Sequence, residues 1–375
     1  MPTPREIPVA LWLDPSQATL AAALVEHTNT ILARDHAALD IALRVTHLGT
    51  PPAPRAATPI ADLFHSTKRF DDLRAGLAEF TSTLEPAPSS SPAPPTGLAP
   101  PTGLVLLLST DSLHTPATRP AFDLISARDC LCVSTFPIPG SLMQPIPPSP
   151  PRVLGMPRAT ATARALLDAL ADEHLGHVRS LSLTIHAPPT HAPAGALLFA
   201  ALDLLRAILG EPEETIAFHT PPSPTTHATT STNSARAPLH LASGDSLLTL
   251  HGDATLLART PHGATATIHA SNMAQTHDWH ATILSTTSEA HLSPRTLHIT
   301  PEDDAAPPSP VDVVNHAARS TTLLAESLAR MLDTTRATES PDLANVLPIA
   351  QAALLSMRTG HAESPERVRR LLSKP

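Results

Sequence analysis

Two close groups of residues in this chain have side chains that could bind a metal or carry out redox chemistry. The run His277-Asp-Trp-His280 contains histidine and carboxylate side chains, which are common metal ligands. Residues i and i+3 of an extended strand point to opposite faces, however, so this run does not favour a metal site. Cys130 and Cys132 are two residues apart and share one strand face, where they are typical of small buried apolar residues. We therefore predict no metal site and no redox pair.

His114 is a third candidate, because it follows the apolar run Gly103–Leu108. Open α/β sheets bind ligands beyond the carboxyl ends of their strands, so a histidine there is a candidate ligand contact. A histidine in a surface loop is an equally good interpretation. The chain has 21 histidines, 43 prolines and no tyrosine, which indicates biased base composition in the gene. The number of histidines therefore does not by itself indicate metal binding.

Composition excludes several classes of protein. The chain has 375 residues, 42% of them hydrophobic and 16% charged, which is enough for two domains with sizeable cores. Its formal net charge of −9 argues against direct binding to nucleic acid. Two cysteines exclude a disulfide framework, and no apolar run reaches the length of a membrane span. Without a signal peptide pattern, we expect a cytoplasmic protein, with the nucleus as the alternative.

Strands and helices alternate in the first half of the chain, between proline-rich stretches that break it into segments. Short apolar runs predict buried strands, and apolar residues at helical spacing predict the helices between them. This alternation is typical of a parallel sheet with helices on both faces. The predicted strands are Ile7–Leu13, Leu39–Val45, Gly103–Leu108 and Asp129–Ser134, and the predicted helices are Ser16–Ala33, one or two pieces within Ile60–Phe80, and Pro120–Ala127.

The second half changes to alternating strands, which predict a large, mostly antiparallel sheet. Helices are predicted at Ala159–Ala171, Ala194–Leu209 and Val311–Asp333, with a last one that Ser340 caps and Pro348 kinks or divides. The predicted strands are Val178–Ile185, Leu247–His251, Ala254–Thr260, Ala264–Ala270, His280–Ser285, Ala290–Ser293 and Thr296–Thr300. We predict an α/β domain over residues 1–152 and an α+β domain over residues 153–375.

Several phrases, in this order, resemble the Gfo/Idh/MocA oxidoreductases. Phe70–His114 resembles the run in that family that ends on a histidine, which His114 matches. Arg164–Ser182 resembles its helix, LG turn and strand into the large sheet. Ala194–Glu214 (AGALLFAALDLLRAILGEPEE) resembles its active-site helix, and residues 352–368 resemble its closing helix. The resemblance implies a degenerate Rossmann-like parallel sheet followed by a large, mostly antiparallel sheet.

The family resemblance implies NAD(P) as cofactor, but the matching residues depart from the family pattern. A glycine-rich first βα turn lets the backbone approach the pyrophosphate, yet Val9–Ala23 has no glycine. Asp14 places a negative charge at that turn, and no ribose-binding acid is evident in Arg44–Gly49. The cofactor therefore stays unknown. The residues that match cofactor-binding positions are Asp14, Ser16, Ser109 and Thr110.

The catalytic positions also depart from the family pattern. The family has a Glu-Lys-Pro run after its fifth strand, where this chain has Thr135, Phe136 and Pro137. On the active-site helix, the family aspartate is Phe199 and the family histidine is Asp203. The resemblance leaves Asp203 and His114 as the candidates for acid–base chemistry. A buried structural aspartate is the more ordinary interpretation of Asp203.

These departures together favour a non-catalytic member of the family. Residues 153–178 also resemble the branch near the fungal galactose co-repressor, which does not catalyse a reaction. We therefore expect a regulatory or scaffolding protein, with nicotinamide nucleotide as a candidate signal and a regulatory protein as partner. The alternative is an NAD(P)-dependent oxidoreductase that acts on a sugar or polyol. A third hypothesis is a catalytically inactive subunit that pairs with an active paralogue. The resemblance also implies a homodimer formed through the C-terminal sheet.

Overall fold

A computed structural model describes residues 4–51, 64, 67–84, 101–110, 118–172, 175–222, 246–301, 320–333 and 341–372. The chain divides into two units, and each is described by itself. The first comprises Met1–Pro139, Pro145–Ala159 and His316–Pro341, and the second comprises Gly140–Gln144, Thr160–Asn315 and Asp342–Pro375. The predicted domains, 1–152 and 153–375, stay a prediction.

The first unit contains a six-stranded sheet in the order β3-β2-β1-β4-β5-β6, in which every neighbouring pair is parallel. Continuous apolar strands such as GLVLL in β4 are buried on both faces, as parallel strands between helices must be. The strands are β1 Arg5–Trp12, β2 Ile41–Gly49, β3 Lys68–Phe70, β4 Gly103–Leu107, β5 Cys130–Ser134 and β6 Arg152–Val153. The helices of this unit are α1 Ala18–Asp35, α2 Leu73–Thr83, α3 Thr118–Ser126 and α6 Ser320–Leu332.

Each face of this sheet has its own core. Alternate residues of β1, including Val9 and Leu11, pack with Leu24 of α1 and Leu328 of α6. Trp12 points to the opposite face, where its ring stacks on that of Phe70 with centroids 5.7 Å apart. Helices on both faces of a parallel sheet confirm the predicted α/β architecture.

The second unit contains a seven-stranded sheet in the order β13-β12-β11-β7-β10-β9-β8. All its neighbouring pairs are antiparallel except β7 with β10, so the prediction of a mostly antiparallel sheet is confirmed. The strands are β7 Val178–His186, β8 Glu214–Thr220, β9 Asp253–Arg259, β10 Thr265–Ser271, β11 Asp278–Ser285, β12 Ser288–Leu292 and β13 Leu297–Pro301. The helices are α4 Ala161–Ala171, α5 Ala194–Leu209, α7 Leu343–Thr359 and α8 Pro365–Leu372.

One face of the second sheet is buried and the other is open. Leu181, Leu183 and Ile185 of β7 are buried on the face against which α5 packs, while Ser182 on the opposite face is exposed. This alternation is the period of two that a half-buried sheet requires. Among the residues that the structure describes, no helix has the length and apolarity to cross a bilayer.

Two sequence predictions of local structure are wrong, namely the strand at Leu247–His251 and the N-cap of the last long helix. Leu247–His251 is not a strand but contains a 3-10 turn, because the Ser246 hydroxyl accepts the Leu248 N–H at 3.2 Å and starts the turn. The last long helix begins at Leu343 with Asp342 as its N-cap, and it continues through Pro348 as one element. Ser340, the predicted cap, lies outside the described residues.

Candidate functional site

The strand order of the first sheet reverses between β1 and β4, and this reversal locates the candidate site. β1 pairs with β2 on one side and with β4 on the other, both in parallel. In open parallel sheets, ligands bind beyond the carboxyl ends of the strands at such a switch point. Here the two segments that border it are the β1–α1 turn, Leu13–Gln17, and the residues that follow β4, 108–110.

The four residues predicted to bind a cofactor all lie at this carboxyl edge. Asp14 and Ser16 belong to the β1–α1 turn, where Asp14 is half-buried and Ser16 is exposed. Ser109 and Thr110 follow β4, and Ser109 is buried with its N–H donating to the Trp12 carbonyl at 3.2 Å. The sequence thus predicts their common location, while cofactor binding by these residues stays a prediction.

The β1–α1 turn is stabilised by its own side chains. Asp14 Oδ1 accepts hydrogen bonds from the Ser16 N–H at 2.9 Å and from the Ser16 hydroxyl at 2.7 Å. Asp14 is the N-cap of a short 3-10 turn over Pro15–Gln17, which leads directly into α1. A diphosphate at this place would need free N–H donors and would meet the carboxylate of Asp14. In this conformation, with the Asp14–Ser16 hydrogen bonds formed, the residues of this turn do not fit a dinucleotide diphosphate.

In the described residues at the carboxyl end of β2, residues 48–51, no carboxylate is available for the ribose of a dinucleotide. Gly49 ends this strand, at the place where a ribose-binding carboxylate is expected in a Rossmann fold. The Phe70 ring covers it so closely that a Cβ atom on Gly49 would lie 2.1 Å from that ring. The contact of the Phe70 ring with this glycine was not predicted from the sequence.

The end of β5 carries no proton donor of the expected kind. Thr135 and Phe136 are buried, with Phe136 fully so, and the Ser134 hydroxyl donates to the Phe136 carbonyl at 2.5 Å. The sequence has two lysines, of which Lys68 lies in β3 and Lys374 lies outside the described residues. The described end of β5 therefore provides no ammonium group, as the sequence predicts.

Asp203, the predicted acid–base residue, lies on α5 in the second unit. Its side chain is 2% exposed, in a helix that is apolar along most of its buried length. The start of this helix packs very closely on the loop before β9, because a Cβ atom on Gly195 would lie 2.0 Å from the Leu247 carbonyl oxygen. His114, the other predicted acid–base residue, lies outside the described residues.

Three histidines that the sequence analysis did not connect lie near one another in the second unit. Burial lowers the pKa of His191 to about 4. Burial, with smaller contributions from His191 and His186, lowers the pKa of His277 to about 3. Within the described part of the chain, no hydrogen-bond partner faces the buried His191 Nδ1. Both imidazoles are therefore neutral at pH 7.

His191 could have been found from the sequence by its place directly before the helix that resembles an active-site helix. The proline-rich stretch around it predicts only a loop. His277 precedes β11 and is buried, while His280 within β11 is exposed, so the two do point apart as predicted. Within the described residues, no group of three or more histidine, cysteine or carboxylate side chains could hold a metal ion.

Comparison with known proteins gives matches among solved structures alone. No protein-family model and no curated protein matches this chain. An oxidoreductase from Pseudomonas syringae is 13% identical with a TM-score of 0.60, and the match covers 96% of this chain and 100% of that one. A levoglucosan dehydrogenase in complex with NADH and L-sorbose is 11% identical, with a TM-score of 0.57 and coverage of 96% and 99%. The WlbA dehydrogenase of Bordetella pertussis, in complex with NADH and UDP-GlcNAcA, is 12% identical, with a TM-score of 0.51 and coverage of 96% and 99%.

This chain has the two-sheet fold of the Gfo/Idh/MocA-type oxidoreductases, at 11–13% sequence identity to the solved structures named above. The predicted fold class and the predicted family resemblance are confirmed. The leading prediction of a non-catalytic regulatory or scaffolding protein is wrong. Proteins that share the fold over nearly the whole chain are dehydrogenases and oxidoreductases, several of them with NADH or NAD+ bound, which favours the alternative.

Proposed function

We propose that this protein is an NAD(P)-dependent oxidoreductase that acts on a sugar or polyol. The observation that carries the proposal is the match of fold over 96% of the chain to dehydrogenases in complex with NADH and a carbohydrate. The switch point between β1 and β4 is retained, and it is where a nucleotide binds in sheets of this order. A nicotinamide dinucleotide would supply the hydride chemistry that the protein's side chains lack.

Asp203 is the proposed acid–base residue on α5. Oxidation of a hydroxyl group requires a group that takes up its proton, and a carboxylate can do so. Asp203 is the matched candidate that the structure describes, and its burial removes it from bulk water.

A turnover screen tests the proposal directly. The purified chain is incubated with NAD+ or NADP+ and a panel of aldoses, polyols and sugar acids, and with NADH or NADPH and the corresponding ketones, while nicotinamide absorbance is followed. We expect turnover with at least one substrate. No turnover with any pair of cofactor and substrate would contradict the proposed function.

A variant of the acid–base residue tests its role once a substrate is known. Asp203→Asn is expected to lower kcat about 100-fold or more, because the amide cannot accept the proton. Asp168→Asn on α4 removes a carboxylate elsewhere in the same unit and is the matched control. An unchanged kcat in Asp203→Asn would show that Asp203 is a structural residue.

A further inference from the structure

The N–H groups of the β1–α1 turn are already occupied. Ser16 donates to the Asp14 carboxylate, Gln17 N–H donates to the Asp14 carbonyl at 2.8 Å, and Pro15 has no N–H. The Ala18 N–H donates to the Pro15 carbonyl, and the Asp14 N–H donates to Gln17 Oε1 at 2.9 Å. A glycine-rich turn holds such donors free for a phosphate. Here all four, from Asp14 to Ala18, are used within the turn.

The same side chains also cross the switch point. Gln17 Nε2 donates to the Leu108 carbonyl at 2.9 Å, just beyond the end of β4. The Leu108 N–H donates to the Trp12 carbonyl at 2.8 Å, so the ends of β1 and β4 are joined by backbone as well. We call the hydrogen bonds that join Asp14 to Ser16 and Gln17, together with the bond from Gln17 to Leu108, the Asp14–Gln17 latch.

We infer that the Asp14–Gln17 latch closes the switch point against a dinucleotide diphosphate, so that binding requires the latch to open. This inference rests on the proposed function. Asp14 opposes the diphosphate in two ways, by its negative charge and by occupying the N–H of Ser16. When only the open fraction of a protein can bind, the apparent dissociation constant rises as that fraction falls. Asp14, the N-cap of the turn, therefore limits the affinity for a dinucleotide, and removal of its side chain strengthens binding.

Two variants separate the two effects of Asp14. Asp14→Asn keeps a side chain that can cap the turn and removes the charge, since asparagine caps helices about as well as aspartate. Asp14→Gly removes the charge and also frees the Ser16 N–H. We expect Asp14→Gly to lower the Kd for NADH or NADPH about tenfold, and Asp14→Asn to lower it by a smaller factor.

Asp72 supplies the matched control. It ends the β3–α2 connection, and its Oδ1 accepts the Ala75 N–H at 2.7 Å, so it caps α2 as Asp14 caps the first turn. Asp72→Asn removes the same charge from the same unit, away from the switch point. Fluorescence titrations of the full chain with NADH and with NADPH then compare the natural protein with Asp14→Asn, Asp14→Gly and Asp72→Asn. Thermal unfolding of each variant confirms that it is folded.

The outcomes separate this inference from the proposed function. Tighter binding by the Asp14 variants, with Asp72→Asn unchanged, supports the inference. If the natural chain binds and the Asp14 variants bind no more tightly, or if Asp72→Asn gains as much, the inference is overturned and the proposed function stands. Binding by Asp14→Gly alone supports the latch and contradicts the proposed function of the natural chain. No binding by any of the four proteins overturns both.

Discussion

At the scale of single residues, close contacts with an aromatic ring restrict two positions near the carboxyl edge of the first sheet to glycine. The Phe70 ring lies against both Gly49 and Gly76, where added Cβ atoms would be 2.1 Å and 2.0 Å from it. Trp12 stacks on the same ring, with ring centroids 5.7 Å apart. These two glycines are required by the ring, since any larger side chain would displace it.

Gly49→Ala is expected to destabilise the protein by about 1–3 kcal/mol, because the new methyl group must displace the Phe70 and Trp12 rings. In the Phe70→Leu background the same substitution should cost less, since the ring that it meets is gone. Urea unfolding of the two single variants and the double variant measures the coupling energy. Additive effects would show that Phe70 does not determine the need for glycine at residue 49.

The sequence predicts the chemistry of individual residues here better than their partners. The missing glycines, the charge of Asp14 and the missing lysine after β5 can all be read from the sequence. The Asp14–Gln17 latch cannot, because Leu108 is 91 residues away from Gln17 and their contact depends on the pairing of β1 with β4. Phe70 is missed for the same reason, since its contact with Gly49 depends on the register of β2 and β3.

At the scale of elements, hydrophobic pattern predicts the buried strands and misses the edges. Strand β4 is predicted at Gly103–Leu108 and observed at Gly103–Leu107, because all five residues are buried. Strand β8 was not predicted, since this edge strand directs small residues, Thr215 and Ala217, to the core and exposes Phe218. The sequence of β8 therefore lacks the alternation of apolar and polar residues that predicts a half-buried strand. Strand β3 was not predicted either, because it has three residues.

The buried histidines before α5 and β11 make stability depend on pH. The folded-state pKa values of His191 and His277, about 4 and about 3, lie below the ordinary histidine value of 6.5. Between pH 6.5 and about 4 the unfolded chain binds protons that the native protein does not. The free energy of unfolding therefore decreases as the pH is lowered through this range. Each histidine contributes about 1.4 kcal/mol per pH unit within this window.

We expect His277→Gln to reduce the slope of unfolding free energy against pH by about one proton between pH 6 and 4. The exposed His280, three residues further along, supplies the control variant His280→Gln, which should keep the natural slope. Urea unfolding at several pH values measures the slope, which is independent of any constant loss of stability in the variant. Equal slopes for the natural protein and His277→Gln would mean that His277 is accessible to protons in the folded state.

At the scale of the whole molecule, the open face of the second sheet is the candidate interface. Three large apolar side chains on it, namely Phe218, Leu257 and Leu284, are between 44% and 53% exposed. They lie on three different strands and are accompanied by threonine, serine and histidine side chains such as Thr267 and His280. A broad face of this composition is typical of a surface that binds another protein. We propose that it pairs two copies of this chain.

Leu257→Arg should weaken self-association at least about tenfold, because pairing would bury a guanidinium group on the open face. Leu371 of α8 is 52% exposed and lies outside the sheet, so Leu371→Arg adds the same charge elsewhere. Sedimentation velocity over a range of concentrations distinguishes the variants. A natural chain that stays monomeric throughout, or a dimer that Leu257→Arg leaves intact, would contradict the proposed interface.

The central claim is that this fold, without its glycine-rich turn, still serves nicotinamide-dependent oxidation or reduction. The most direct measurement is a calorimetric titration of the purified chain with NAD+, NADH, NADP+ and NADPH. We predict binding of at least one of the four, with a dissociation constant at or above the micromolar range because the Asp14–Gln17 latch must open. Absence of binding by all four, in a chain shown to be folded by its unfolding transition, would contradict the claim.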